Sequence, residues 1–481
     1  MRARVLLALV ALGAVALAAC TTASKNDKGD GHRVGADELW RSARPPAGAP
    51  LDGKVPVFDK AELKNGMSLL VLPVPGSLAV SARVVVRAGT AADGKEPGLA
   101  ALTWDLLDEG ADKLSGPQLA DELEKLGTAL TIDVQRDTAT VGVDVVKRNA
   151  DAALEILAGV IKKPAFAQAD FDRVRAEALT DIKVREADPR AEADDLFDAL
   201  ALGERDETAT SLDKISRERV RRFWAESVGP KSAALVLVGD VTVDEAKALA
   251  EKHFGKWPAL FWKAPKPAAE PKARTALTIA IADVAGAPLS SLRIGHGVLG
   301  PSDPDEAAVL VVERVLAMRL TAKLRDEKAW TSAVDTSVVA RPGKGPLLVA
   351  TDVLAANTVD AAQEILAQLE LLRTSGVTED ELNRARDGLV KGAPGVLADP
   401  ARAAAAAASL FDNGAAGDAE QKRVDALKSL KIDDVKKAAE RALAKEDLVL
   451  VVAGDKASVL PKLKALGEVT EVAPSPPAKA P

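Results

Sequence analysis

Leu235-Val-Leu-Val-Gly-Asp240 returns 215 residues later as Leu450-Val-Val-Ala-Gly-Asp455. Each copy is an apolar run, rich in valine, closed by Gly-Asp, which reads as a buried strand entering a turn. Two further strings repeat in the same order. Asp151-Ala-Ala-Leu-Glu-Ile-Leu157 matches Asp360-Ala-Ala-Gln-Glu-Ile-Leu366 at an offset of 209, and Phe171-Asp-Arg-Val-Arg175 matches Leu382-Asn-Arg-Ala-Arg386 at 211. Alanine-rich helices resemble one another by composition, which accounts for the first of these but not for a strand ending in Gly-Asp. Three matches in one order at slowly drifting offsets describe a tandem duplication of a unit of ~210 residues.

Inside each unit the hydrophobic period switches. Ser68-Leu-Leu-Val-Leu-Pro73 and Ala79-Val-Ser-Ala-Arg-Val-Val-Val-Arg87 read as strands bounded by Gly and Pro. Leu99 to Glu109 and Ser115 to Leu126 have helical spacing, the second with Ser115 as N-cap. Leu130 to Val146 alternates as a hairpin or meander, and amphipathic helices follow from Asn149 to Ile161 and from Asp170 to Val184. Strands in adjacent pairs followed by clustered helices predict an α+β fold of mostly antiparallel sheets packed with helices, rather than a doubly wound parallel sheet. The predicted organisation is a signal peptide at 1–19, a tether at 20–56, a first domain at 57–262, a Pro/Ala/Lys linker at 263–272, a second domain at 273–465 and a flexible tail at 466–481.

The 481 residues include three histidines, one cysteine and no tyrosine, with a net charge of −7. A mildly acidic chain without a concentrated basic face argues against a nucleic-acid partner. One cysteine and three scattered histidines cannot build a zinc finger, a Cys-ligated cluster or a disulfide framework. The leader is basic at Arg2 and Arg4 and apolar from Val5 to Ala19, shorter than the ~20 residues of a spanning helix. Its end, Leu17-Ala18-Ala19-Cys20, resembles the lipobox of bacterial lipoproteins, which implies acylation of Cys20 and stable membrane anchoring. Thr21 follows where an inner-membrane retention signal usually has Asp, so the expected location is the bacterial envelope, at the outer membrane facing the periplasm.

No motif for active chemistry stands up. Gly89-Thr-Ala-Ala-Asp-Gly94-Lys95 approximates a phosphate-binding loop, but Glu96 replaces the hydroxyl that magnesium needs, so it reads as a turn. A helical zinc site needs paired histidines with a nearby glutamate. His32 falls in the tether, His253 at a charged helix end, and His296 between two glycines, read as a surface loop. No Gly-x-Ser-x-Gly elbow occurs.

From Leu63 onward the chain resembles the pitrilysin/insulinase (M16) family of metallopeptidases. The carrying strings are Leu63-Lys-Asn-Gly-Met67, Val85 to Leu99, Leu235 to Asp240 with Phe254-Gly-Lys-Trp-Pro258, and Met318-Arg-Leu-Thr-Ala-Lys-Leu-Arg325 running on to Trp330. They span about residues 56 to 460 in the family's order, and the family shares the duplication. In the family an inverted zinc motif, H-x-x-E-H, follows Gly-Leu-Ala. Here Gly98-Leu-Ala100 is followed by Ala101 at the first ligand position, Trp104 at the general-base position and Asp105 at the second ligand position. The later glutamate ligand falls at Val174, with Asp181 as the accompanying acid and Glu177 one turn away. Neither alanine nor tryptophan binds zinc, and Asp105 with Glu177 or Asp181 is too few ligands; Asp105, Asp108 and Glu109 read as a solvated helix face. The family's substrate-holding Arg and Tyr correspond to Arg325 and Ser332, the latter too short for a phenol's task.

The resemblance implies a catalytically silent subunit with no metal or other cofactor of its own. Its partner would be a zinc-bearing M16-like peptidase subunit, and the two would form a clamshell around unfolded peptide, with Arg325 holding peptide. Two alternatives stand beside it: an envelope scaffold without peptide processing, and an active zinc peptidase whose ligands lie elsewhere. The 263–272 linker is where a hinge is expected.

Overall fold

The two strands of the Gly-Asp repeat become the same strand of two sheets. A computed structural model describes residues 53–204, 209–259 and 274–472, all within the compact unit Leu51–Pro481. In the first body β1 (Asp59–Glu62), β2 (Ser68–Pro73), β3 (Ala79–Val86), β6 (Thr131–Val134), β7 (Ala139–Val146) and β8 (Ala233–Gly239) form a sheet in the order β1-β2-β8-β3-β7-β6. A two-residue ladder joins β4 (Gly110–Ala111) to β5 (Leu114–Ser115). In the second body β9 (Thr278–Asp283), β10 (Leu289–Leu299), β11 (Val334–Val338), β12 (Gly345–Leu354), β13 (Val449–Gly454) and β14 (Val469–Val472) follow the order β11-β12-β10-β13-β9-β14. β8 lies parallel to β2 and antiparallel to β3, and β13 lies parallel to β9 and antiparallel to β10. Most pairings are antiparallel, as the α+β reading requires.

The bodies differ at their sixth strands. β1 adds antiparallel to β2, whereas β14 adds parallel to β9, from Val469↔Ile279 to Val472↔Ala282. The second body therefore runs on to Val472, into the stretch read as a flexible tail from 466. At the other end, residues counted in the 20–56 tether are packed. The Val55 amide donates to Gln421 Oε1 at 2.9 Å, and the neighbouring Phe58, almost fully buried, donates its amide to the Gly417 carbonyl at 3.1 Å.

In the first body the helices are α1 (Leu99–Asp105), α2 (Gly116–Lys125), α3 (Ala150–Lys162), α4 (Gln168–Arg185), α5 (Pro189–Phe197), α6 (Ala209–Leu212), α7 (Arg217–Ser227) and α8 (Val243–Phe254). In the second they are α9 (Glu306–Leu320), α10 (Thr358–Ser375), α11 (Glu379–Ala398), α12 (Pro400–Asp412), α13 (Ala419–Ser429), α14 (Ile432–Ala442) and α15 (Lys456–Leu463). Ser115 does cap α2, in a capping box with Gln118. The helix expected from Leu99 to Glu109 stops at Asp105, so Asp108 and Glu109 lie in the turn beyond it. No helix among the described residues is long and apolar enough to cross a membrane.

Both faces of each sheet are covered, which explains why β8 and β13 read as unbroken apolar runs. One face of the first sheet (Leu69, Val71, Val84, Leu235, Leu237) packs under its own helices. Its other face (Leu70, Leu72, Val85, Val236, Val238) shares a core with Ala403, Ala407, Leu410 and Phe411 of α12, a helix of the second body. Reciprocally, Ala193 and Phe197 of α5, a helix of the first body, bury against Val449, Val451 and Ala453 of β13. Each large apolar side chain buried this way is worth about 1.5–3 kcal/mol. Both exchanged helices open on the same device, Asp188-Pro189 and Asp399-Pro400. Proline sits at N1, where its missing N–H costs nothing, and the aspartate accepts from Arg190 N at 2.9 Å or Arg402 N at 2.8 Å.

Candidate functional site

The site positions named by the sequence lie mainly on α1, whose start is fixed by two features. Gly98 takes a left-handed φ of 89°, open to glycine without strain, and the buried Asp93 carboxylate accepts from Gly98 N at 2.9 Å and Ala100 N at 2.6 Å. This anchor sets which face each α1 residue presents. Trp104 points wholly inward at 0% exposure, and its indole Nε1 donates to the Ala88 carbonyl at 2.8 Å. Its ring meets Trp224 of α7 edge to face at a centroid distance of 5.0 Å, and Trp224 meets Phe166 the same way at 5.6 Å. Three aromatic rings, that of Trp104 among them, thus stack together.

Ala101, on the same helix, is half-buried and its side chain offers no ligand atom. Asp105 is exposed at the end of α1. Local desolvation of its carboxyl and the negative charges of Asp108 and Asp181 push it up to about 6. α4 thus brings Asp181 near Asp105, whereas Val174 is buried in the core and Glu177 is bonded to Arg173 at 2.9 Å. Glu109 also pairs with Arg173. Among the described residues no group of three or more His, Cys, Asp or Glu side chains is placed to hold a metal ion. The carboxylates that do converge come without the histidine or thiolate ligands that complete a protein zinc site.

Arg325 sits on a π-helical continuation of α9, Thr321–Glu327, and is exposed, with Nε 2.8 Å from Asp326 Oδ1. Ser332 is exposed in the connection to β11. Between them the Lys328 ammonium lies 4.6 Å over the Trp330 ring. His253, in the last turn of α8, is buried, with Nε2 2.8 Å from Asp151 Oδ1; Lys252 binds the same carboxylate. Those two partners, Lys252 first, hold Asp151 below the usual carboxylate range. His296 requires a correction: it is not a surface loop residue but lies within β10 at 7% exposure, with Nε2 2.7 Å from the Ala442 carbonyl. Burial keeps its imidazole below the ordinary histidine range. Cys20 and His32 lie outside the described residues.

Sequence reading passed over a further duplication. Ser81, Arg83 and Asp144 recur as Ser291, Arg293 and Asp352 on the sheet faces that meet the exchanged helices. In the second body Ser291 Oγ donates to Asp352 at 2.6 Å, Arg190 of α5 pairs with Asp352, and Asp194 of α5 binds the buried Arg293 through both oxygens. In the first body the α12 counterparts are Ala401 and Ala405. Arg83 turns instead to Asp144 at 2.7 Å and the Val143 carbonyl at 2.9 Å. The offsets of 210, 210 and 208 were the available signal.

Comparison with known proteins agrees with this geometry. Residues 74–209 match the model of insulinase (peptidase family M16), and residues 214–389 match that of the peptidase M16 inactive domain. An uncharacterized zinc protease of Mycobacterium leprae is 22% identical over 345 residues, 69% of this chain and 77% of that protein. A non-peptidase homolog of Helicobacter pylori is 25% identical over 167 residues, 33% of this chain and 38% of that protein. Among solved structures, a peptidase M16 inactive domain from Pseudomonas fluorescens superposes with a TM-score of 0.75 at 21% identity, over 83% of this chain and 98% of that one. The periplasmic protease PqqL from Escherichia coli superposes with a TM-score of 0.67 at 16% identity, over 88% of this chain and 51% of that one. With its repeated α+β bodies, and two family models that together take in well over half its length, the chain belongs to the M16 peptidase family.

Proposed function

We propose that this chain is a non-catalytic M16 subunit, anchored in the bacterial envelope through a lipid on Cys20. It would form half of a clamshell around unfolded peptide with a zinc-bearing partner. The observation that carries the reading is Trp104: where a peptidase would keep a carboxylate facing water, this chain has an indole sealed in an aromatic stack and bonded to Ala88. The match to half the length of PqqL supports a role as one half of a larger chamber. In this reading the chain binds no zinc of its own, and two of the four sheet edges, β6 and β11, would receive extended peptide. Arg325, exposed and paired among the described residues with its neighbour Asp326, would be available to meet peptide carbonyls.

The test has two arms. Metal analysis of the purified chain should find no stoichiometric zinc; one equivalent would restore the active-peptidase reading. Mixing the chain with an M16 chain of the same cell that has an intact H-x-x-E-H should raise hydrolysis of an unstructured peptide, and Arg325→Ala should diminish that gain. An unchanged rate on mixing would favour the scaffold.

A further inference from the structure

Five chain segments bring six charged side chains together where the two bodies join. The tip of the β6–β7 hairpin supplies Arg136 and Asp137, and the tip of the β11–β12 hairpin supplies Arg341. Glu204 follows the π-helical turn Asp198–Leu202 that extends α5, Asp412 ends α12, and Arg87 follows β3. Arg136 pairs with Glu204 at 2.9 Å and with Asp137 at 3.0 Å, and Arg341 pairs with the same Glu204 oxygen. The Arg136 guanidinium also donates to the Pro342 carbonyl of the other tip at 3.3 Å, and Asn413 Nδ2, just beyond α12, donates to the Ala340 carbonyl at 3.1 Å. The Arg87 guanidinium lies 4.0 Å over the Phe411 ring and donates to the Phe411 carbonyl, which fixes the end of α12.

Two carboxylates of this node are thus taken up by Arg136 and Arg341. The third, Asp412, feels Arg87, Arg136 and Arg341 without an ion pair to any of them within 4.0 Å, and stands beside Asp137. Arg205, Asp206 and Glu207, next to Glu204 in the sequence, lie outside the described residues.

We propose that this node is a proton-operated latch between the two bodies, looser at neutral pH and tighter in mild acid, with Asp412 as the group that takes up the proton. Burial first, and then the charge of Asp137, push Asp412 up to about 6 against the pull of the three arginines. Burial likewise raises Glu204 against Arg341 and Arg136. When the tips part, water reaches Asp412 and its affinity for the proton falls, so the closed node binds more protons than the open one. Closure is favoured as pH falls through about 6, and that advantage is lost as pH rises through the same range.

The test is amide hydrogen exchange on the full chain, read at peptides covering the two hairpin tips and corrected for the intrinsic pH dependence of exchange. Between pH 7.5 and 5 the tips should gain protection by roughly threefold, about half on a logarithmic scale of the roughly tenfold that full linkage of a group at about 6 allows over that range, because Asp412 remains partly exposed. Asp412→Asn should show the acid level of protection at both pH values. Asp137→Asn should move the midpoint down toward ordinary aspartate, and Asp105→Asn, remote from the node, should leave the response intact. Equal corrected protection at both pH values would overturn the latch. So would a wild-type pH response surviving in Asp412→Asn. If Asp412→Asn does not fold, the midpoint shift in Asp137→Asn decides the question, and an unmoved midpoint refutes it.

Discussion

Replacing Trp104 by glutamate, the residue type that the proposed non-catalytic reading sets against it, should damage the fold rather than repair a site. The cost follows from what the indole touches. Trp104 is fully buried, so truncation to alanine removes a large apolar side chain and leaves a cavity beneath α1, worth about 3–5 kcal/mol. It also strands the Ala88 carbonyl, about 1 kcal/mol or more if water cannot reach it. Trp104→Phe keeps part of the edge contact with Trp224 and loses the hydrogen bond, for a total of roughly 1–2 kcal/mol. Trp104→Glu adds to the alanine cost the burial of a carboxyl with no cationic partner, so it should be the worst of the three. Against a typical domain stability of about 5–15 kcal/mol, the order Phe, Ala, Glu should appear as successive falls in urea midpoint, followed by far-ultraviolet circular dichroism. Glutamate within about 1 kcal/mol of the wild type would refute the reasoning, because the position would then be open to water and the aromatic plug would not exist.

Asp194→Asn takes the counter-charge from Arg293, which is buried in β10. Since Asp194 itself is half exposed, the loss should be about 2 kcal/mol rather than the larger cost of an enclosed pair, with exchange in α5 accelerated ahead of the rest. Asp105 stands at about 6 when folded against the ordinary 3.8, so its share of stability is complete below about pH 4 and lost as pH rises through 6. Melting curves of Asp105→Asn should lack that component, and the variant should gain on the wild type as pH increases. Ending the chain after Ala465 removes β14 and bares the β9 edge at Ile279 to Ala282, so the shortened chain should melt earlier and associate on size exclusion.

The layered fold was legible because period and punctuation agree in the central strands: Leu-Val-Leu-Val-Gly-Asp can be little other than a buried strand and a turn. Ser115 announced its helix as an N-cap residue. What failed had identifiable causes. His296 read as a loop because glycines flank it, yet in β10 a side chain at Gly295 would lie 1.9 Å from the Leu347 carbonyl. That glycine allows a close strand approach rather than a turn. β14 is short, carries Thr and Glu, and runs into a proline-rich tail, so composition outweighed its alternation. The residue types at 101, 104 and 105, none of them a histidine or glutamate, were readable from the sequence alone. The pairing of Trp104 with Trp224 was not, because an apolar face shows that a helix is covered without showing by what. For the same reason nothing local showed that α5 and α12 each cover the other body's sheet.

That exchange bears on ancestry. Cut between the bodies, the first would carry off the helix that covers the second sheet, and the second would carry off the helix that covers the first. A lone ancestral unit would have left one sheet face bare unless two copies traded helices. Joining two such copies end to end would make that pairing intramolecular and independent of protein concentration. It would also free the copies to drift apart. Arg190 and Asp194 on one traded helix face Ala401 and Ala405 on the other, a difference no symmetric pair could hold.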